Sequence, residues 1–331
     1  MQNQQVGVIG SGTMGTDIAQ LIVSQHVDVI LVDTNKEALN RAKEKMRKQL
    51  QFLHEHHFIE EAADSIIARI HFSEQMQDVK HCWLVIEAVP EKKELKQQIF
   101  KELEAVCHSD VIFATNTSGI TVSSIAKELT YPERLVGMHF FMPASIIPLV
   151  EVIKGNDASE PVLEQVMHFL KKIGKQPVLI QKEVPGFIGN RIQHAIAREA
   201  ISLLESGVAS AEDIDTVVRY SLGIRLLITG PLEQRDWNGL DVHLDIASYL
   251  YKDLENRTTP SPLLEEKVYK GDIGVKSKQG FYNWEEENIS SIQLRKNIEL
   301  LELTKWLERK EQENKKSSSA SVTNLNSSDN V

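Results

Sequence analysis

VGVIGSGTMGTDIAQLIVSQHVDVILVD, residues 6–33, decides the fold. Residues 6–10 read as a short apolar strand, 14–24 as a helix, and 27–33 as a second apolar strand. Between strand and helix lies Gly10-Ser11-Gly12-Thr13-Met14-Gly15, a G-x-G-x-x-G, and Asp33 follows Gly15 by 18 residues. A strand, this turn, a helix, a strand and a closing acid are the context of a dinucleotide fingerprint. Gly10 allows a tight turn, Gly12 lets backbone approach a pyrophosphate, and Gly15 lets the helix pack closely on the sheet. The helix N-terminus offers free N–H groups to the anion. Asp33 would accept hydrogen bonds from an adenine-ribose diol and repel a 2′-phosphate, which favours NAD over NADP. The alternative is a glycine turn that binds nothing, with Asp33 capping the next helix.

Outward from this stretch, strand and helix keep alternating. Two helical, charge-rich stretches occupy 35–70, and strands recur at 83–89, 111–116, 135–141, 149–153 and 176–180. Helical patterns lie at 91–106, 122–129 and 159–173. The expected architecture is a largely parallel sheet in an α/β, Rossmann-type domain over 1–184. After Pro185 the apolar residues recur at helical spacing, as in Ile188, Ile192, Ala195, Ile196, Ile201 and Leu204. That predicts an all-α C-terminal domain over 185–312. The Ser/Asn-rich stretch 313–331 is expected to be a disordered tail.

Composition narrows the classes. The chain has 331 residues, 41% hydrophobic and 25% charged, with a net charge of −10. Such a length buries a large core unaided, and the acidic balance argues against nucleic acid, which demands a basic face. Cys82 and Cys107 are the only cysteines and fall outside any C-x-x-C pattern, so they give neither a metal site nor a disulfide framework. Met1–Gln5 lacks a signal-peptide pattern and no apolar run approaches a membrane span, which predicts a soluble, cytoplasmic protein.

His139 sits late in LVGMHFF and Glu151 lies 12 residues on, in LVEVI. If MPASIIP joins adjacent strands, the two side chains meet, and a carboxylate behind a histidine fixes its tautomer for proton exchange near neutral pH. A histidine satisfied by a carbonyl and a glutamate in an unrelated ion pair fit the spacing equally. Asn116-Thr117-Ser118-Gly119 follows a strand, where open α/β sheets bind ligands; turn capping is the competing account. Asn190, in PGFIGNR, either reaches a cleft or is simply exposed.

Taken together, GSGTMG, VIEAVPEKKELK, ATNTSG, GMHFFMP, LVEVIKG, PGFIGNRI and GVKSKQGFYNW resemble the L-3-hydroxyacyl-CoA dehydrogenase family, in its order and over roughly residues 5–285. The resemblance implies that His139 takes the C3-hydroxyl proton while hydride leaves for nicotinamide, that Glu151 orients His139, and that Ser118 and Asn190 hold the reacting oxygen. It implies cofactor contacts from Gly10, Ser11, Gly12, Thr13, Met14, Gly15, Asp33, Glu91, Lys96, Asn116, Ser118 and Lys276, and a homodimer formed through the helical domain. The implied activity is NAD-dependent oxidation of a short-chain L-3-hydroxyacyl-CoA, a reaction of fatty acid metabolism.

Some residues depart from that pattern. Acyl-CoA members carry Asn where this chain has Met142, and their CoA clamp supplies Ser and Lys where Gln49 and His56 stand here. LGIRLLITGPLE and IIPLVE look more like the branch of L-gulonate 3-dehydrogenase, carnitine dehydrogenase and lambda-crystallin, which leaves open a free 3-hydroxy acid, or an NAD(H)-binding protein without catalysis. Arg41, Lys45 and Lys48, with Arg47 nearby, either meet a nucleotide phosphate or form a solvated face with pairs Glu37–Arg41 and Glu44–Lys48. Arg225 either anchors a free carboxylate or is an ordinary interface arginine.

Overall fold

In the computed structural model, which describes residues 5–285 and 288–325, the chain forms two compact units, Met1–Asn190 and Arg191–Val331. The first unit is built on an eight-stranded sheet. Its strands are β1 (Val6–Ile9), β2 (Val29–Val32), β3 (Ile70–Ser73), β4 (Leu84–Glu87), β5 (Ile112–Thr115), β6 (Leu135–Phe140), β7 (Leu149–Ile153) and β8 (Gln176–Ile180). The order is β3-β2-β1-β4-β5-β6-β7-β8. Pairing is parallel from β3 to β6; β7 runs antiparallel to β6, and β8 parallel to β7.

The chain leaves β1 toward one edge and returns to start β4 on the other side, so the strand order reverses between β1 and β4. Open α/β sheets bind ligands at such a switch point, beyond the carboxyl ends of the strands. Side chains alternate faces along each strand, and two apolar layers result. Val8, Leu31, Ile86 and Ala114 face the layer completed by α1 (Thr13–Ser24), α2 (Lys36–Glu55) and the helix at Glu160–Lys172. Ile30, Val85 and Phe113 face Phe100 and Leu103 of the helix at Lys93–Val106, with Val122 and Ile125 beyond. In chain order the later helices of this unit are α3 (Ala63–Ile67), α4 (Lys93–Val106), α5 (Val122–Ala126) and α6 (Glu160–Lys172).

Strand β3 is absent from the sequence reading, and its composition explains why. IHFS buries only its first and last residues and sits at the sheet edge, so it lacks the apolar run that marked the other strands.

Helix α7 (Gly189–Glu205) leads into the second unit, which continues with α8 (Ala211–Val217), α9 (Ile224–Leu226), α10 (Pro231–Asn238), α11 (Leu240–Leu250), α12 (Pro262–Lys270) and α13 (Ile289–Leu325). A π-helical stretch, Val218–Gly223, joins α8 to α9. The expected disordered tail is corrected in part: α13 continues through Leu325, and only 326–331 of that tail lie outside the described residues, as do the first four residues of the chain. The physical reason is propagation. Residues 289–325 contain neither Gly nor Pro, and adding a turn to an existing helix avoids the cost of nucleation.

Candidate active site

The phosphate-binding turn has the geometry its glycines demand. Gly10 adopts φ +97°, and a Cβ at Gly15 would lie 1.8 Å from the Gly10 carbonyl oxygen. A Cβ at Gly12 would meet no atom within 4 Å, so space lies open against the backbone at the N-terminus of α1. The turn opens onto a cleft of about 900 Å³ whose lining includes Ser11, Thr13, Met14, Asp33 and Arg41. Asp33 Oδ2 accepts from the Ser11 N–H and from the Ser11 hydroxyl, both at 2.8 Å, and Oδ1 accepts from the Asn35 N–H at 2.9 Å. Helix α2 is capped by Asn35, whose side chain accepts from the Ala38 N–H, so Asp33 is not its cap. An open glycine backbone, a helix N-terminus and a carboxylate at the end of β2 together fit a dinucleotide.

On the other flank of the switch point, β6 and β7 pair with His139 directly opposite Glu151. Directly opposed residues share a face of the sheet, and here Glu151 Oε2 lies 2.8 Å from His139 Nδ1. Both side chains are buried, and the Phe141 and Phe187 rings pack 4.7 and 5.7 Å from the imidazole. Glu151 Oε1 accepts from the Ile188 and Gly189 N–H groups at 3.0 and 2.8 Å. Burial pushes the Glu151 carboxyl up, but the imidazole and the two amides outweigh it and hold its pKa below the ordinary 4.5. Nδ1 is thereby committed to Glu151, and Nε2 has no hydrogen-bond partner among the described residues. This is how a histidine is prepared to exchange a proton through one nitrogen while the other is held.

The lowered carboxyl has a stability consequence with a definite sign. A depressed folded pKa contributes stability that is present above the unfolded value and lost as pH falls through the folded one. Glu151→Gln is therefore expected to cost about 2–4 kcal/mol at pH 7. The gap to the unaltered chain should narrow once pH drops below about 4.5, the ordinary value. Urea unfolding of both chains at pH 7 and pH 4 checks it; a gap that widens on acidification contradicts the assignment.

The turn after β5 is held from several sides. Asn116 Oδ1 accepts from the Phe140 N–H at 2.9 Å, tying β5 to the residue after His139. Glu91 Oε1 accepts from the Thr117 hydroxyl at 2.6 Å and from the Ser118 and Gly119 N–H groups at 2.8 and 3.1 Å. Burial raises the Glu91 carboxyl, yet the Thr117 hydroxyl, the Lys96 ammonium and the Ser118 amide together bring it below its ordinary pKa. The Asn190 side-chain amide donates to the Ser118 carbonyl at 3.2 Å. Asn116, Glu91, Ser118 and Asn190 are thus brought together. Lys96 is 1% exposed and pairs with Glu87 as well as Glu91. Glu87 and Thr115, which complete this cluster, were not anticipated. The available signal was a lone acid ending the apolar run LVIE nine residues before a lysine.

Lys276, in the 3-10 turn Val275–Ser277, and Arg225, in α9, belong to the second unit. Arg225 Nε donates to the Ser221 carbonyl at 3.2 Å, and its guanidinium forms no ion pair among the described residues. Met142 is 65% exposed. His56 packs at a tilt against the Phe52 ring and hydrogen-bonds the Phe52 carbonyl, and Gln49 Oε1 is buried without a partner among the described residues. The expected pairs Glu37–Arg41 and Glu44–Lys48 do not form. Arg47 takes Glu44 at 2.6 Å and reaches Asp64 on α3 at 2.9 Å, while Lys45 turns to the buried Asp17 of α1 at 2.8 Å. Arg47 thus bridges a carboxylate on its own helix and one on α3, and only the Lys45–Asp17 pair has a buried acid, which salt screens less than it does two exposed groups. No group of three or more His, Cys, Asp or Glu side chains among the described residues is placed to hold a metal ion.

A switch-point cleft with a dinucleotide turn beside a buried His–Glu pair defines a nicotinamide-dependent oxidoreductase. The model for the NAD-binding domain of 3-hydroxyacyl-CoA dehydrogenase matches residues 5–184, and the model for its C-terminal domain matches 186–284. The chain belongs to the 3-hydroxyacyl-CoA dehydrogenase family and is an NAD-dependent oxidoreductase. A 5-formyl-3-hydroxy-2-methylpyridine 4-carboxylate 5-dehydrogenase from Mesorhizobium japonicum is 32% identical over 309 residues, 93% of this chain and 99% of that protein. The crystal structure of 5-formyl-3-hydroxy-2-methylpyridine 4-carboxylic acid 5-dehydrogenase, an NAD+-dependent dismutase, superposes with a TM-score of 0.85 at 32% identity, over 92% of this chain and 98% of that one. The (S)-3-hydroxybutyryl-CoA dehydrogenase of Ralstonia eutropha gives a TM-score of 0.71 at 33% identity, over 86% of this chain and 100% of that one.

Proposed function

We propose that this chain oxidises the 3-hydroxyl of a short-chain L-3-hydroxyacyl-CoA to the 3-oxo ester, reversibly, with His139 and Glu151 as the acid/base pair. The observation that supports it most is the 2.8 Å contact between Glu151 Oε2 and His139 Nδ1 across paired strands, which leaves Nε2 for the substrate. NAD, when bound, supplies the acceptor for the hydride leaving C3. His139 Nε2 takes the hydroxyl proton, and Glu151 stabilises the imidazolium that results. Ser118, in the turn after β5, and Asn190, whose side chain reaches that turn from α7, position the reacting oxygen. Gly10–Gly15 and Asp33 would hold the cofactor, with Asn116, Glu91 and Lys96 ordering the turn after β5, and Lys276 completes the cofactor residues of this reading.

The homodimer belongs to the same reading. The second unit exposes large apolar side chains, among them Leu232 at 82%, Trp237 at 79% and Leu244 at 71%, and apolar surface on that scale marks an interaction face. No helix among the described residues is long and apolar enough to cross a membrane. The reading places the enzyme in the cytoplasm, where its two free cysteines stay reduced.

A second reading has its own support. The likeness to a pyridine-carboxylate dehydrogenase extends over nearly the whole chain, and Met142 stands where acyl-CoA members carry Asn. In that reading the substrate is a free hydroxy acid whose carboxylate Arg225 anchors. NADH oxidation with acetoacetyl-CoA and with free acetoacetate separates the two. Turnover on the ester alone supports the first, and turnover on the acid alone supports the second. In the second case Arg225→Met is expected to raise KM for the acid roughly 10-fold or more, the loss of a charge-assisted pair; an unchanged KM removes Arg225 from the site.

A further inference from the structure

One Lys–Glu pair is buried at both ends, and the proton exchange at His139 does not use it. Glu87 ends β4 with no exposure, and Lys96, on α4, is 1% exposed. The Lys96 ammonium lies 2.7 Å from Glu87 Oε1, 3.3 Å from Glu91 Oε2 and 3.5 Å from the Val89 carbonyl. The ammonium hydrogen-bonds Glu87 and the Val89 carbonyl and pairs by charge with Glu91. Glu87 is equally saturated: Oε1 also accepts from the Val89 N–H at 2.7 Å, and Oε2 from the Thr115 hydroxyl at 2.6 Å.

Burying two charges cancels much of their attraction, so such a pair is poor insurance for stability. This one has a direction instead. The ammonium is shared with Glu91, and the other oxygen of Glu91 gathers the Thr117 hydroxyl and the Ser118 and Gly119 amides. The line therefore runs from the core end of β4, through α4, to the turn that carries Ser118.

We infer that Glu87 is a positioning residue for the Ser118 turn, acting through Lys96 and Glu91; its bearing on turnover rests on the proposed role of Ser118. With Glu87 ionised, Lys96 divides its charge between two carboxylates and steadies Glu91 without drawing it off the turn. Glu87→Gln keeps the shape and an acceptor for Lys96 but removes the charge. Lys96 then has Glu91 as its sole carboxylate, and that pair tightens at the expense of the Ser118 and Gly119 contacts.

The test compares Glu87→Gln, Lys96→Met and the double variant by thermal melting, by NMR exchange of the Ser118 and Gly119 amides, and by kcat and KM. Lys96→Met strands the buried Glu87 carboxylate and Glu87→Gln leaves Lys96 with one carboxylate in place of two, so each lowers Tm, and the double variant regains most of the loss because neutral groups of similar shape tolerate the site. The expected result is a double variant with recovered Tm whose Ser118 and Gly119 amides still exchange about 10-fold faster. Its kcat falls by up to about 100-fold through misplacement of the turn, with KM for NADH changed less. Exchange and kcat that both return with Tm would overturn the inference, since the pair would then be structural only. Exchange is read without substrate. Faster exchange in a chain that turns over no 3-oxo substrate supports the line from Glu87 to Ser118 and counts against the proposed function instead.

Discussion

His139→Gln is expected to lower kcat by about 10²–10⁴-fold, the usual contribution of a general acid–base group, while NADH binding and Tm change little. Glutamine is close in size and can still lie against Glu151, so the buried carboxylate keeps a hydrogen-bond partner where Nδ1 donated at 2.8 Å. It cannot take a proton at the position of Nε2. The Phe141 and Phe187 rings flank the imidazole, and they keep the substituted side chain in the same slot. Because the cleft at the glycine turn is lined by that turn and by α2, not by β6, the dissociation constant for NADH, read by fluorescence, should stay within about 2-fold if the cofactor binds there as proposed. Near-normal turnover with intact binding would remove His139 from the chemistry. Loss of both binding and turnover would point to a folding defect instead, which the melting curve identifies.

The second large effect lies in the glycine turn, where neighbouring positions should fail for different reasons. A Gly15→Ala methyl group would fall 1.8 Å from the Gly10 carbonyl oxygen, a backbone atom in a turn already committed to φ +97°. Nothing flexible can yield there, so α1 must move off β1 and the whole nucleotide half of the unit is strained. Tm should fall steeply and NADH binding should weaken by more than about 100-fold, an overpacking cost of ~3 kcal/mol or more. Gly12 has φ −66°, an ordinary value for alanine, and a methyl there meets no protein atom within 4 Å. Gly12→Ala should therefore melt as the unaltered chain does and still lose at least about 10-fold in NADH affinity, because the methyl occupies the approach of the pyrophosphate. Thermal melts paired with NADH titration read both results. A Gly12→Ala chain that binds NADH normally would place the cofactor elsewhere.

Much of the active site is legible in the chain because it is written in local patterns. The glycine spacing, the apolar runs and the acid at Asp33 fix the β1–α1–β2 unit, and two runs separated by MPASIIP suffice to suggest that His139 and Glu151 meet. Strand pairing then supplied what spacing could not, the register that sets the two residues opposite each other. What stayed hidden depends on contacts across elements. Arg47 adds Asp64, 17 residues away, to its pair with Glu44 on α2, and Lys45 takes Asp17, 28 residues away. Lys96 enters only as a cofactor contact implied by resemblance, and its burial against Glu87 and Glu91 is set by contacts that spacing does not show. Strand β3 is short and half exposed, so it owes its existence to pairing with β2 rather than to its own composition. The helix through Leu325 shows a related limit, since a Ser- and Asn-rich composition says little about a turn that extends an existing helix.

The central claim is that this chain moves a hydride between C4 of the nicotinamide and C3 of a 3-oxo substrate, with His139 exchanging the proton. The most direct measurement uses NADH carrying deuterium at both C4 positions, incubated with the purified chain and either acetoacetyl-CoA or acetoacetate. The account predicts NADH loss at 340 nm and one deuterium at C3 of the hydroxy product, from the unaltered chain and at a rate lower by about 10²–10⁴-fold from His139→Gln. A chain that binds the labelled NADH yet leaves all of its deuterium in the dinucleotide, with both substrates, would contradict the account.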